Sequence, residues 1–169
     1  MIPADLDEDV LTVLDPWDTA LSLALAKARA IARRRPDALV IGSDTVVAVD
    51  TGLEHPIQLA KPRDLEDGVR MLKLLSGREH VVITGVALVM GLMESASTDT
   101  TRVRFRNLSE VEIRDYMYTG EPMDKAGGYA IQGGAAGFVA NTTGSLSNVV
   151  GLPLEQVQRM LKNLDFEPT

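Results

Sequence analysis

VIGSDTVVAV, residues 40–49, reads as a buried β-strand with a polar insert. Val40, Ile41, Val46, Val47 and Val49 are strand formers that suit a packed sheet. Gly42, Ser43, Asp44 and Thr45 interrupt them with a carboxylate and two hydroxyls. An ionised Asp among apolar neighbours is costly unless it is paired, hydrogen-bonded or bound to a cation. Two readings follow. Asp44 either sits at the strand's end, capping a turn through Ser43, or it is a metal-binding or catalytic carboxylate, because ligand sites form at strand ends in α/β sheets.

Working outward, strand and helix patterns alternate, which predicts an α/β or mixed domain. A helix is predicted over 16–35, with Asp15 as N-cap, Pro16 at the first helical position and Arg33 to Arg35 in the last turn. Its apolar face is read as Trp17, Leu21, Ala24, Ala28 and Ile31. Asp64 caps a second helix that Gly77 ends. HVVITGVALVM, residues 80–90, is a second buried strand, and TTRVRFRNL, residues 100–108, alternates as a half-exposed one. Ser109 and Glu112 form a capping box. The glycine-punctuated stretch from Gly128 to Leu152 reads as a hairpin or pair of strands. A final helix starts at Pro153 and runs through Leu164, with Leu154, Val157, Leu161 and Leu164 inward.

The composition narrows the function. The 169 residues suit one domain, 1–169. The net charge of −7 argues against nucleic acid or an anionic membrane as partner. The absence of cysteine excludes disulfides, thiolate metal sites and a cysteine nucleophile, and is compatible with a cytoplasmic protein. His55 and His80, the only histidines, make a multi-histidine zinc site improbable. No apolar run approaches the roughly 20 residues that span a bilayer.

Other positions carry candidate chemistry. Lys27 borders the apolar face of the first helix, so it either snorkels to solvent or points into a cleft to neutralise phosphate. Lys61, in AKPRD, is either surface or part of the same cleft. Gln132, in YAIQGG, either satisfies a strand end or reads a base edge. DKAGGYAIQGGAAG, residues 124–137, lacks the GxGxxG spacing of a dinucleotide loop. No Walker-type loop and no GxSxG elbow is present.

Taken together, IGSDTVV, KPRD with MLKLLSGREHVVITGVALV, TGEPMDKAGGYAIQG and SNVVGLPL stand in the order seen in the Maf family of nucleotide pyrophosphatases. The chain resembles that family from IPADLDED to its C-terminus. The resemblance implies an α/β fold related to inosine triphosphate pyrophosphatases: a mixed, twisted sheet flanked by helices, with two lobes around a cleft. It also implies Mg²⁺-dependent hydrolysis of a nucleoside triphosphate to the monophosphate and pyrophosphate. Thr45 and Gln132 match the group that prefers dTTP and UTP, with action on modified nucleotides an extension of that. Asp44 matches the family's proton acceptor, Lys27 and Lys61 match lysines of the phosphate site, and Glu8 matches a carboxylate that would hold the metal with Asp44. A homodimer is expected at the level of the family only.

The residue types suit that reaction, which needs positioning and charge neutralisation more than covalent help. One segment of the family pattern, an apolar strand followed by SxSPRR, has no match here. The resemblance therefore predicts a domain incomplete at its N-terminus, with weak activity or none. The competing expectation is an inactive, truncated or non-catalytic nucleotide-binding protein on the same fold.

Overall fold

The computed structural model describes residues 12–163. A helix, α1 (Pro16–Ala32), precedes strand β1 (Val40–Val49) and a short strand β2 (Ile57–Leu59). Helix α2 (Leu65–Leu75) leads into a long hairpin of β3 (Glu79–Met90) and β4 (Met93–Phe105). Helix α3 (Glu110–Tyr118) is followed by three short 3-10 turns, strand β5 (Val139–Thr143), and helices α4 (Leu146–Val150) and α5 (Leu154–Asn163).

The strands form one five-stranded sheet in the order β2-β1-β3-β4-β5. The α/β class stands, but the expected mixed sheet is corrected: among the described residues every pairing is antiparallel. Hairpin connection of β3 to β4 and direct pairing of β1 with β3 leave no parallel neighbours to be bridged by crossover helices.

Local signals place the helices. Asp15 Oδ1 accepts from the backbone N–H groups of Trp17 and Asp18, and Asp64 caps α2 through the N–H of Asp67. Ser109 and Glu112 make both halves of a capping box on α3. Helix α1 stops at Ala32, so Arg33 is its C-cap and Arg34 and Arg35 lie beyond it.

The two faces of the sheet differ. Pleating sends alternate side chains to opposite sides. On one face, Gly42, Asp44 and Val46 of β1 pair with Ala87, Gly85 and Ile83 of β3 and lie under α1. A Cβ on Gly42 would come within 2.5 Å of the Ala24 carbonyl, and one on Gly85 would collide with the carbonyl of Ala20. Glycine is therefore required for the helix backbone to rest on the strands. The close fit also explains why Ala20, Ala24 and Ala28 stand where α1 meets the strands, within a buried face that also takes in Thr19, Leu23, Ile31 and Ala32. Trp17 lies outside that face, and its indole N–H donates to Thr100 Oγ1 at 3.0 Å.

On the other face, Val47, Val49, Val82, Val103 and Phe105 pack with Val69, Leu72 and Leu75 of α2 and Ile113 of α3 as the main core. Val86 and Leu88 meet Val157 and Met160 of α5. Leu154 is exposed, so the inward face of α5 is narrower than its spacing predicts. Residues 128–152 form 3-10 turns, a single strand and α4 rather than a hairpin, because their glycines favour successive tight turns over extended pairing.

Candidate functional site

Asp44 and Thr45 are neighbours in sequence and face opposite sides of the sheet. Two cavities lie around them, and both are lined by Asp44, Thr45, Lys61 and Ala126. The larger, about 650 Å³, is on the α1 side, where Thr19, Leu23 and Val46 complete its wall with Gln58 and Arg63. The smaller, about 190 Å³, is on the other side and has an aromatic residue in its wall, Tyr129, with Val47, Val82, Val149 and Val150. It also has Asp124 and Lys125 in its wall.

Lys27 points from α1 onto β1, where its Nζ donates to Asp44 Oδ1 at 2.5 Å. The side chains are 24% and 13% exposed, so the pair is sheltered but reachable from solvent. Lys27 is thus neither a snorkelling surface lysine nor distant from the acid, and the close seating of α1 over Gly42 brings the two together. Asp44 lies inside β1 rather than past its end, which removes the strand-end cap reading.

Lys61 follows β2 directly and is exposed. The N–H of Gly127 donates to the carbonyl of Ala60 at 3.1 Å, tying the 3-10 turn Ala126–Gly128 beside it. That bond brings Lys61 and Lys125 to one cavity. Lys125 Nζ donates to Asp124 at 2.5 Å, and this bond holds the Asp124 carboxyl below its ordinary range.

Thr45 belongs to a hydroxyl network. Its Oγ1 is 2.9 Å from Thr84 Oγ1, and Thr84 donates to the Asn148 carbonyl at 2.8 Å. Thr101 donates to the Ser145 carbonyl at 2.8 Å, and Ser43 donates to the Gly151 carbonyl at 2.6 Å. Carbonyls at every third residue of α4 and its two caps, Ser145, Asn148 and Gly151, thus receive hydroxyls from β4, β3 and β1, which are adjacent strands. Helix α4 is laid across the sheet, and it supplies Val149 and Val150 to the smaller cavity.

Tyr129, also in that wall, is 5% exposed, and burial pushes its phenol well above its ordinary range. Its hydroxyl is 2.8 Å from His80 Nε2. Burial lowers His80 to about 4, so the imidazole is neutral at pH 7.

Of the residues expected from sequence, the structure brings Asp44, Thr45, Lys27 and Lys61 together. Gln132 is exposed, in the turn after Ile131, and lines neither cavity. Glu8 lies outside the described residues. Among the described residues no group of three or more metal-ligating His, Asp or Glu side chains occurs. Reading positions singly misses Lys125, Tyr129, Thr84 and Asn148. The first two stand in the TGEPMDKAGGYAIQG block, which was the available signal for them.

The model for the family described as Maf-like protein matches residues 1–164. The chain belongs to that family. Among relatives of this Maf-like chain, a dTTP/UTP pyrophosphatase of Symbiobacterium thermophilum is 46% identical over 162 residues, covering 96% of this chain and 81% of that protein. One of Koribacter versatilis is 45% identical over 160 residues, covering 95% and 80%. One of a Geobacillus species is 43% identical over 166 residues, covering 98% and 87%. No described helix of the Maf-like chain is long and apolar enough to cross a membrane.

Proposed function

We propose that this Maf-like chain is a nucleoside triphosphate pyrophosphatase acting on dTTP and UTP, with modified pyrimidine triphosphates as further candidates. The observation that carries the reading is the meeting of Asp44, Thr45 and Lys61 in the walls of both cavities, with Lys27 on Asp44. The names of the relatives support the substrate pair.

The division between the faces suggests the division of labour. The triphosphate would lie along the α1 side and the β1 edge, where Lys27 and Lys61 offset its charge in an otherwise acidic protein. The base would enter the smaller cavity, against Tyr129 and the valines. Water attacks the α-phosphorus, the bond to the bridging oxygen breaks, and pyrophosphate leaves with the monophosphate as co-product. Asp44 would orient that water and accept its proton, and Lys27 would hold the carboxylate in place. Gln132 and Glu8 remain in the proposal on the resemblance alone, Gln132 for the base and Glu8 for the metal.

Mg²⁺ fits the donor set. Such sites use one or two carboxylates plus substrate phosphates, and Asp44 stands in the wall of the α1-side cavity where the triphosphate would lie. When bound, the ion would neutralise phosphate charge and favour the attacking water.

The test is pyrophosphate release from dTTP and UTP with Mg²⁺, for the chain and for Asp44→Asn. The substitution should lower kcat by about 100-fold or more. Turnover that survives it unchanged would remove Asp44 from the chemistry. Nucleotide binding without turnover in the unmodified chain would favour a non-catalytic binding protein instead.

A further inference from the structure

The hydroxyl network has a direction. Asn148 O is a carbonyl and can only accept, so the single proton of Thr84 is committed to it across 2.8 Å. Thr84 therefore has only lone pairs left for the 2.9 Å contact with Thr45 Oγ1, and Thr45 must be the donor there. Both Thr84 and Asn148 are fully buried, which keeps water from supplying another proton or acceptor. The Asn148 backbone is itself held. Its Nδ2 donates to Val82 O at 2.9 Å and to Thr101 Oγ1 at 3.0 Å, and the proton of Thr101 is committed to Ser145 O. The reversed amide would set oxygen against the Val82 carbonyl, so the network has one consistent orientation.

We propose that Thr84 is a positioning residue for ligand selection: by accepting the proton of Thr45, it leaves that hydroxyl with lone pairs alone facing the cavity. Thr45 then selects a hydrogen-bond donor on whatever it meets. This rests on the pyrimidine nucleotide reading above when it is put in terms of bases. Uracil and thymine present a ring N3–H, which Thr45 accepts. Cytosine presents a bare ring nitrogen, which would set acceptor against acceptor and leave both unpaired. Selection would thus originate one residue behind the cavity wall, in a strand threonine that touches no ligand.

Neutron diffraction on the deuterated full chain tests the relay without turnover. The Thr84 deuteron is expected on the line to Asn148 O and the Thr45 deuteron on the line to Thr84. A Thr45 deuteron directed into the cavity overturns the proposal. The functional arm compares kcat/KM for UTP and CTP in the unmodified chain, Thr84→Ser and Thr84→Val. Serine keeps the hydroxyl and should preserve the UTP-to-CTP ratio to within about twofold. Valine frees the Thr45 proton and should lower the ratio by about tenfold, chiefly through a lower KM for CTP. An unchanged ratio in a folded Thr84→Val chain also overturns the proposal, because general damage would slow both nucleotides alike. Should the unmodified chain fail to prefer UTP, the pyrimidine reading falls, while the neutron result still decides the relay.

Discussion

On one face of β1, Asp44 meets the ammonium of Lys27 beneath a helix seated on two glycines. On the other face, Ser43 and Thr45 join a set of neutral hydroxyls and carbonyls that runs from the strands to α4 and its caps. The first arrangement is a charge held by a partner of opposite sign, close to solvent, and able to exchange that partner for a phosphate or a cation. The second is neutral and directional, so it orients a group rather than lending it charge, although the buried Asn148 Oδ1 has no hydrogen-bond partner in it. Alternation along a single strand has separated a charged pair from a neutral, directional network.

The contrast can be broken at the helix contact first. Gly85→Ala places a methyl group against the Ala20 carbonyl and should destabilise the fold by about 3 kcal/mol in urea titration. Catalysis should fall with it, because Lys27 moves with α1. A Gly85→Ala chain of unchanged midpoint and activity would mean that the glycine contact does not set the position of the lysine.

On the neutral face the corresponding change is Asn148→Ala. It deletes the bonds to Val82 O and Thr101 Oγ1 at a fully buried position, so a loss of about 2.5 kcal/mol is expected in the same titration. Loosening of α4 should also raise KM through Val149 and Val150. If KM is unchanged, α4 does not shape the cavity.

The smallest effect uses protons in place of substitutions. His80, on the same face of β3 as Thr84, is lowered to about 4 by burial, whereas the unfolded chain's His takes up a proton near its ordinary value of 6.5. Its contribution is complete above pH 6.5 and is lost as pH falls toward 4. Between pH 7 and 5, where most carboxylates stay charged, stability should drop by about 2 kcal/mol from this group. A His80→Phe chain should show a flatter profile over that interval. Parallel profiles would show that the neutral face tolerates a charge at this position.

Much of the frame was legible because its signals are local. Asp15, Asp64 and the Ser109–Glu112 pair announce helix starts within three or four residues of chain. Asp44 stands out because a carboxylate in a valine-rich strand needs a reason. The pairing of Lys27 with Asp44 spans 17 positions, and the resemblance put both residues at one site without pairing them. Thr84, although it stands in the MLKLLSGREHVVITGVALV block, and Thr101 were not legible by residue type. β-branched residues are ordinary in strands, and what distinguishes these two lies 64 and 44 positions away, in carbonyls of α4 and its N-cap. The stretch 128–152 reads as extended, yet it turns, because apolar residues between glycines do not reveal whether their backbone pairs or bends.

The seating of α1 has a consequence for how such a chain tolerates change in length. Ala20, Ala24 and Ala28 stand one helical turn apart, and their backbone meets Gly85 and Gly42 like teeth in two notches. Lys27 sits one step before the last tooth. One residue added between Ala20 and Lys27 would swing everything after it by about 100° and advance it by about 1.5 Å, carrying the ammonium off the sheet. An equal insertion in the 50–56 connection would alter nothing at this contact. The spacing along α1, more than the identity of its outward residues, is what keeps the lysine over the carboxylate.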